Sequence, residues 1–266
     1  MTELTAPAKI NLALVVGPPR GDGKHEVATV LQRVALADRI ELEPAEELSV
    51  GGFERDTLVR GALEALAGAT GVEPAWRVTI EKRIPVAAGL GGGSSDAAAA
   101  LRLTNGTLPQ PLSGDDLHRL AATLGADVPF FLEPGPKLGR GAGADLELLE
   151  LPLDYHVLLL LPSGAVKQST ASVYEAFDER RGAEGFEERL SALEEALRRA
   201  DLAGLPPSDL ASSPAAPALE ELGAFRADVT GAGPVVYGLF ESRGAAETAA
   251  RAAESLGRVW LTEPVT

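Results

Sequence analysis

One stretch of the chain, residues 84–101, decides how the rest is interpreted. It runs Ile84-Pro85-Val86-Ala87-Ala88-Gly89-Leu90-Gly91-Gly92-Gly93-Ser94-Ser95-Asp96-Ala97-Ala98-Ala99-Ala100-Leu101. Residues 76–82 before it alternate between apolar and polar types, as a β-strand does. The alanine-rich run after it has high helix propensity, with Ser95 and Asp96 as preferred N-cap types. We therefore expect the glycines to lie between a strand and the N-terminus of a helix.

A glycine-rich loop in that position is suited to binding phosphate groups. Glycine adopts positive φ and brings the backbone close to a ligand, so that N–H groups converge on an anion beside the positive end of the helix dipole. A flexible linker is the weaker alternative, because linkers are seldom flanked directly by a strand and a compact helix. No lysine follows the glycines as in a P-loop, and Ser94 stands where a dinucleotide fingerprint has its third glycine. The residues predict a third kind of phosphate loop.

Composition excludes several classes of protein. The 266 residues are 45% hydrophobic and 24% charged, which indicates a globular protein of one large or two ordinary domains. The net charge of -15, with no local basic patch, argues against nucleic acid and anionic membrane as partners. The absence of cysteine excludes disulfides and thiolate chemistry, and the three histidines are too scattered for a metal site. Without a signal segment or a long apolar run, a cytoplasmic location is expected.

The pattern of the remaining segments predicts an α+β fold. Predicted strands are 9–16, 25–34, 39–42, 156–161, 235–240 and 259–262, and predicted helices are 58–66, 113–124, 186–197 and 244–256. The second half mixes strands and helices without the regular spacing of a doubly wound sheet, and its pattern begins afresh after Pro152. We expect a domain boundary near residue 150, with domains at 1–150 and 151–266.

Two isolated charged residues are candidates for catalysis. Lys9 shares a strand face with Asn11, and Asp127 follows Gly125, the expected end of a helix. Phosphoryl transfer needs a phosphate cradle, Mg²⁺, a cation for the developing charge and a carboxylate that takes the acceptor proton. Each residue alone also fits a plain structural role, Lys9 as a surface lysine at a strand edge and Asp127 as a loop carboxylate.

Five segments in order make the chain resemble the GHMP small-molecule kinases. They are Ala6–Leu12, Gly21–His25, Lys82–Leu101, Gly125–Phe131 and Thr230–Gly233. The resemblance covers nearly the whole chain. It implies the two-domain GHMP kinase fold, with an N-terminal domain like domain 2 of ribosomal protein S5 and a ferredoxin-like C-terminal domain.

The resemblance also implies ligands and residue roles. It implies ATP and Mg²⁺ as cofactors, and a small-molecule CDP-linked alcohol as substrate. The sequence itself does not fix the oligomeric state, and a monomer or a homodimer is expected. Asp127 is implied as general base and Lys9 as its electrostatic partner, and Thr230–Gly233 as a second glycine-rich segment of the site. The ATP phosphate loop is implied at Pro85, Val86, Ala87, Ala88, Gly89, Leu90, Gly91, Gly92, Gly93, Ser94 and Ser95, with Ser95 as a Mg²⁺ ligand, and the substrate contacts at Asn11, His25, Thr170 and Tyr174.

One departure from the family pattern bears on the substrate. The family usually has a tyrosine before the histidine of the second motif, as an aromatic wall for cytosine, where this chain has Lys24. A kinase of another small alcohol, such as homoserine or mevalonate, therefore stays open as an alternative. A nucleotide-binding protein that has lost catalysis is the third reading. It is weakened because Lys9, Asp127 and Ser95 are all present.

Overall fold

The computed structural model describes residues 2–54, 58–166 and 168–266 and shows a mixed α+β architecture. Its strands are β1 (Thr2–Pro19), β2 (His25–Pro44), β3 (Ser49–Gly51), β4 (Trp76–Glu81), β5 (Lys137–Arg140), β6 (Asp145–Leu148), β7 (His156–Pro162), β8 (Arg226–Val229), β9 (Val236–Phe240), β10 (Gly257–Thr262) and β11 (Pro264–Val265). Its helices are α1 (Leu58–Thr70), α2 (Gly92–Asn105), α3 (Gly114–Leu124), α4 (Thr170–Glu179), α5 (Phe186–Arg198), α6 (Ala215–Glu221) and α7 (Arg243–Ala253), with a 3₁₀ turn at Pro129–Phe131.

The chain forms two compact units that interleave along the sequence. The first unit takes Met1–Ala8, Leu36–Val86 and Gly91–Pro134, and the second takes Lys9–Ala35, Ala87–Leu90 and Gly135–Thr266. The expected division into domains 1–150 and 151–266 stays a prediction. Within the described ranges, no helix has the length and apolar character needed to cross a membrane.

The core of the first unit forms where α1 and α2 pack on strands β2, β3 and β4 of a seven-stranded sheet. Residues 39–44 of β2 pair antiparallel with β4, and β3 pairs parallel with β4. Along β4 the side chains alternate between buried and exposed, because successive residues of a strand point to opposite faces. The buried side of this unit consists of Ala6, Ile40, Leu42, Val59, Leu63, Ala67, Trp76, Val78, Ile80, Ala99 and Ala100.

The second unit contains a four-stranded antiparallel sheet in the order β10-β7-β9-β8. Its central strand β7 is an almost continuous aliphatic run, and Leu158 and Leu160 point to the face that α6 and α7 cover. Small alanines on α7 allow that helix to approach the sheet closely. A second apolar cluster fixes α4 against β1 and β2, and it contains Leu14, Val16, Val27, Val173, Phe177 and Leu210. This cluster places α4 beside His25 at the start of β2.

Every predicted strand and helix has a counterpart, but the start of α2 was predicted wrongly. Ser95 and Asp96 are not N-cap residues, because α2 already begins at Gly92. Gly91 precedes it in the left-handed region, with φ of 68°, and no side chain caps the helix. The N-cap preference of serine and aspartate therefore misplaced the boundary by a turn. Predicted strands 25–34 and 39–42 are parts of the single strand β2.

The packing of α1 against α2 predicts a large effect at Leu63, which is fully buried. We expect Leu63→Ala to lower the free energy of unfolding by about 2–5 kcal/mol, because it removes apolar contacts and leaves a cavity. The matched control is Glu64→Ala at the adjacent exposed position, expected within about 0.5 kcal/mol of the parent. Urea unfolding of both variants checks this expectation. A Leu63→Ala variant as stable as the control would contradict it.

Candidate active site

The glycine loop has a backbone that most residues cannot adopt. Gly89 and Gly91 have φ of 83° and 68°, and Ala87 has φ of 61°, in the left-handed region that non-glycine residues rarely enter. A Cβ on Gly89 would lie 2.5 Å from the carbonyl oxygen of Thr230. That separation is far below van der Waals contact, so position 89 requires glycine for close approach as well as for its φ.

Residues 87–90 of the loop are held by backbone hydrogen bonds within the second unit. The N–H of Lys9 donates to the carbonyl oxygen of Leu90 at 3.0 Å, and the N–H of Val235 donates to that of Ala88 at 3.3 Å. This part of the loop is therefore attached both to β1 and to the segment that follows Thr230–Gly233.

The start of α2 has the features of an anion-binding helix terminus. The first N–H groups of a helix have no intrahelical acceptor, and no side chain caps those of α2. A Cβ on Gly92 would lie 3.1 Å from Cγ2 of Ile84, so glycine allows the first residue of α2 to pack closely on that side chain. The hydroxyl of Ser95 is buried and has no hydrogen-bond partner among the described residues. These groups fit a polyphosphate with an associated cation.

A buried polar network occupies β1 beside the glycine loop. Lys9 is only 4% exposed, and its Nζ donates to Oδ1 of Asn11 at 2.6 Å. Asn11 in turn donates from Nδ2 to Oγ1 of Thr29 at 2.8 Å, and its backbone N–H donates to Oγ1 of Thr230 at 3.0 Å. The alternative of a surface lysine at position 9 is wrong, because the side chain is buried. Burying an ammonium is costly unless polar groups receive it, and here Asn11 accepts its hydrogen bond.

The second glycine-rich segment lies directly against this network. Gly231 has φ of 60°, and a Cβ there would lie 3.3 Å from Oδ1 of Asn11 and 3.4 Å from Nζ of Lys9. The hydroxyl of Thr230 also lies 3.4 Å from the carbonyl oxygen of Gly89. Parts of three predicted motifs, which are distant in sequence, therefore meet around Lys9 and Asn11.

Asp127 lies in the first unit, at a turn between α3 and the 3₁₀ turn. Its side chain is partly buried. The helix before it has the predicted ends. Ser113 caps α3 by accepting from the N–H of Asp116, and α3 ends at Gly125. The pairing of Asp127 with Lys9 stays a prediction.

His25 is the centre of an aromatic cluster in the second unit. Its ring stacks on Tyr174 with centroids 4.8 Å apart and meets the edge of Phe177 at 5.8 Å. Its Nε2 lies 2.8 Å from Oδ1 of Asp178. The structure thus brings His25 and Tyr174 together, whereas Thr170 is exposed at the first residue of α4. Phe177 and Asp178 are contacts that the sequence analysis did not identify.

Lys24, the departure from the family pattern, lies in the exposed turn between β1 and β2. Its backbone N–H donates to Oδ1 of Asp22 at 3.1 Å, and its carbonyl oxygen accepts from the N–H of Arg20 at 2.6 Å. Its side chain is exposed. The turn is therefore fixed by its own backbone and by Asp22, and the lysine side chain extends from a defined position.

A second buried ionic group, missed by the sequence analysis, lies at the base of the glycine loop. Lys82 donates to a carboxylate oxygen of Asp38 and to Oδ2 of Asp96, the latter at 2.7 Å. Burial raises the pKa of Asp96 to about 7, with Lys82 opposing the shift. The sequence carried no clear signal for Asp38, because position 38 lies between the predicted strands 25–34 and 39–42, and only the structure shows it buried within β2. No group of three or more metal-ligating side chains occurs in the described part of the chain.

Family models identify the class of the protein. The model described as "GHMP kinases N terminal domain" matches residues 57–135, and "GHMP kinases C terminal" matches residues 188–259. The chain belongs to the GHMP kinase family. It is therefore a small-molecule kinase with the GHMP kinase fold, and membership of the family implies that it uses ATP.

Two curated relatives and one solved structure carry the name of the same kinase. The chain is 39% identical to the 4-diphosphocytidyl-2-C-methyl-D-erythritol kinase of Anaeromyxobacter sp. (strain K), over 93% of this chain and 83% of the relative. It is 36% identical to the kinase of that name from Chlorobium phaeobacteroides (strain BS1), over 97% of this chain and 95% of the relative. A crystal structure of 4-(cytidine 5'-diphospho)-2C-methyl-D-erythritol kinase matches with TM-score 0.82 and 33% identity over 100% of both chains.

The hydroxyl of Thr230 is predicted to stabilise the buried network. Thr230→Val should lower the free energy of unfolding by about 1–3 kcal/mol, because the buried N–H of Asn11 loses its acceptor. Thr79→Val, at an exposed position of β4, is the matched control and should change stability by less than about 0.5 kcal/mol. Urea unfolding measures both. Equal stability of the two variants would mean that the Asn11–Thr230 hydrogen bond contributes nothing to the free energy of unfolding.

Proposed function

We propose that this chain transfers the γ-phosphoryl group of ATP to the erythritol 2-hydroxyl of 4-diphosphocytidyl-2-C-methyl-D-erythritol, in non-mevalonate isoprenoid biosynthesis. The observation that carries the proposal is the buried Lys9–Asn11–Thr230 network beside a glycine loop, in a chain that is 36–39% identical to kinases named for this substrate. A buried lysine next to a phosphate-binding loop provides a cation where charge develops during phosphoryl transfer.

Residues Pro85–Ser95 would hold the nucleotide phosphates. The N–H groups of the glycines and the uncapped start of α2 would offer donors to the phosphate oxygens. The buried hydroxyl of Ser95 would serve as a ligand of Mg²⁺. When bound, ATP supplies the phosphoryl group and Mg²⁺ neutralises charge on the β- and γ-phosphates.

Asp127 and Lys9 would act on the acceptor hydroxyl. Asp127 takes the hydroxyl proton as the oxygen forms its bond to the γ-phosphorus and ADP leaves. Lys9 stabilises the negative charge that develops on the acceptor oxygen. Asn11 positions the ammonium group of Lys9 through the 2.6 Å hydrogen bond, and Asn11 is itself held by Thr29 and Thr230.

The cytidine end of the substrate would be bound by His25, Tyr174 and Thr170, with Asn11 contributing nearer the reacting end. The stacked rings of His25 and Tyr174 form a rigid aromatic surface at low entropic cost. Lys24 cannot stack on cytosine as a tyrosine does, but its exposed ammonium adds attraction for the anionic diphosphate. Cytosine is then held mainly by Tyr174 on one face and by hydrogen bonds near His25.

The wider setting follows from charge and composition. The net charge of -15 supports a role without nucleic acid or anionic membrane, since both are polyanions. We propose a cytoplasmic enzyme that is a monomer or a homodimer, with MgATP and the CDP-linked alcohol as its ligands.

Loss of the proposed base is expected to remove most of the activity. Asp127→Asn should lower kcat about 100-fold or more, with calorimetric affinity for ATP near that of the parent, because an amide cannot accept the proton. Asp115→Asn makes the same chemical change at an exposed position of α3 and should keep parental kcat. If Asp127→Asn kept kcat near the parent in a coupled ADP assay, Asp127 would not be the base.

Tyr174 is expected to control affinity for the CDP-linked alcohol. Tyr174→Ala should raise KM for this substrate roughly 5- to 150-fold, equivalent to about 1–3 kcal/mol of lost stacking, with little change in KM for ATP. Tyr174→Phe keeps the ring and should stay near the parent. Steady-state kinetics with each substrate varied in turn make the comparison. Unchanged KM for the CDP-linked alcohol in Tyr174→Ala would place the cytidine pocket elsewhere.

A further inference from the structure

The cluster of Asp38, Lys82 and Asp96 connects the two ends of the glycine loop. Asp38 is fully buried on β2, and its Oδ1 accepts the backbone N–H groups of Arg83 at 2.5 Å and Ile84 at 2.8 Å. These are the residues directly before Pro85, where the loop begins. The other oxygen of Asp38 accepts from Nζ of Lys82.

The far end of the loop is attached to the same lysine. Asp96 lies in α2 directly after Ser95, is 1% exposed, and its Oδ2 accepts from Nζ of Lys82 at 2.7 Å. A Cβ on Gly92 would lie 3.2 Å from the same Nζ, so the lysine also lies under the first residue of the helix. One ammonium group thus links the strand that enters the loop to the helix that leaves it.

The charges indicate a positioning role and not direct attraction of phosphate. The cluster holds one lysine and two aspartates, so it offers no net positive charge to an anion. A buried ionic group of this kind is also seldom more stabilising than well-packed apolar residues. Its charged hydrogen bonds, however, fix the directions and distances between the groups that they join more sharply than apolar packing does. Since the cluster neither attracts an anion nor adds much stability, the role that fits it is holding the two ends of the glycine loop in place.

We propose that Asp38, Lys82 and Asp96 are positioning residues that keep the ends of the glycine loop at a fixed separation, so that its N–H groups are arranged for the nucleotide phosphates before binding. This inference rests on the proposed function, since it assumes that the loop binds ATP. A binding site arranged in advance loses less conformational entropy on binding, and small displacements of its donors reduce affinity strongly.

The test compares two substitutions of Asp96 in the full chain. Asp96→Ala removes the link to Lys82 but leaves the balanced pair of Lys82 and Asp38. Asp96→Asn keeps an oxygen that accepts from Lys82. Calorimetry with a non-hydrolysable ATP analogue and Mg²⁺ should show Kd raised about 10-fold or more for Asp96→Ala and within about threefold of the parent for Asp96→Asn. KM for the CDP-linked alcohol should stay within about twofold.

The control is Asp115→Ala on the exposed start of α3, which should bind the analogue like the parent. Parental affinity in Asp96→Ala, or equal weakening in Asp96→Ala and Asp96→Asn, would overturn the positioning role. If Asp96→Ala does not fold, Asp96→Ser decides the question, because its shorter side chain cannot reach Lys82. A parent chain that fails to bind the analogue would overturn the proposed function itself.

Discussion

The close approach of Gly89 to Thr230 is the constraint on which the site in the second unit depends. A side chain at position 89 would collide with the backbone of Thr230 at 2.5 Å. With glycine there, the carbonyl oxygen of Leu90 accepts from the N–H of Lys9, and the hydroxyl of Thr230 accepts from Asn11. The glycine is therefore needed for the contacts that place the lysine as well as for the shape of the loop.

A phosphate site in an acidic protein requires local compensation of charge. The chain carries a net charge of -15, and its glycine loop contains no lysine. Under the proposed function, the groups that compensate are the backbone N–H groups at the uncapped start of α2. Lys82, although close to Gly92, is engaged by two aspartates. We propose that its contribution to the loop is geometric, since backbone donors held in place beforehand do not reorganise when an anion binds.

Local patterns predicted the parts of the fold that local forces determine. The alternation in β4, the Ser113 cap of α3 and the shared face of Lys9 and Asn11 all follow from spacing within a few residues. The start of α2 was missed, because a glycine in the left-handed region replaced the side-chain cap that the sequence offered at Ser95. Short elements in glycine- or proline-rich segments, such as β5 and α6, gave no periodic signal.

Long-range contacts of the site were beyond the reach of local patterns. Asn11 and Thr230 are separated by 219 positions, and Asp38 and Lys82 by 44. The resemblance to a family indicated that Thr230–Gly233 belongs to the site, but it did not indicate the ionic cluster around Lys82. The same holds for Asp178, whose contact with His25 depends on how α4 packs on β1 and β2.

The most direct test is a measurement of acceptor choice by the purified chain. Equal concentrations of 4-diphosphocytidyl-2-C-methyl-D-erythritol, homoserine and mevalonate are each supplied with ATP and Mg²⁺, and ADP release is followed by a coupled assay. We expect rapid turnover with the CDP-linked alcohol and background rates with the other two. Phosphorylation of homoserine or mevalonate without turnover of the CDP-linked alcohol, or nucleotide binding without turnover of any of the three, would contradict this account.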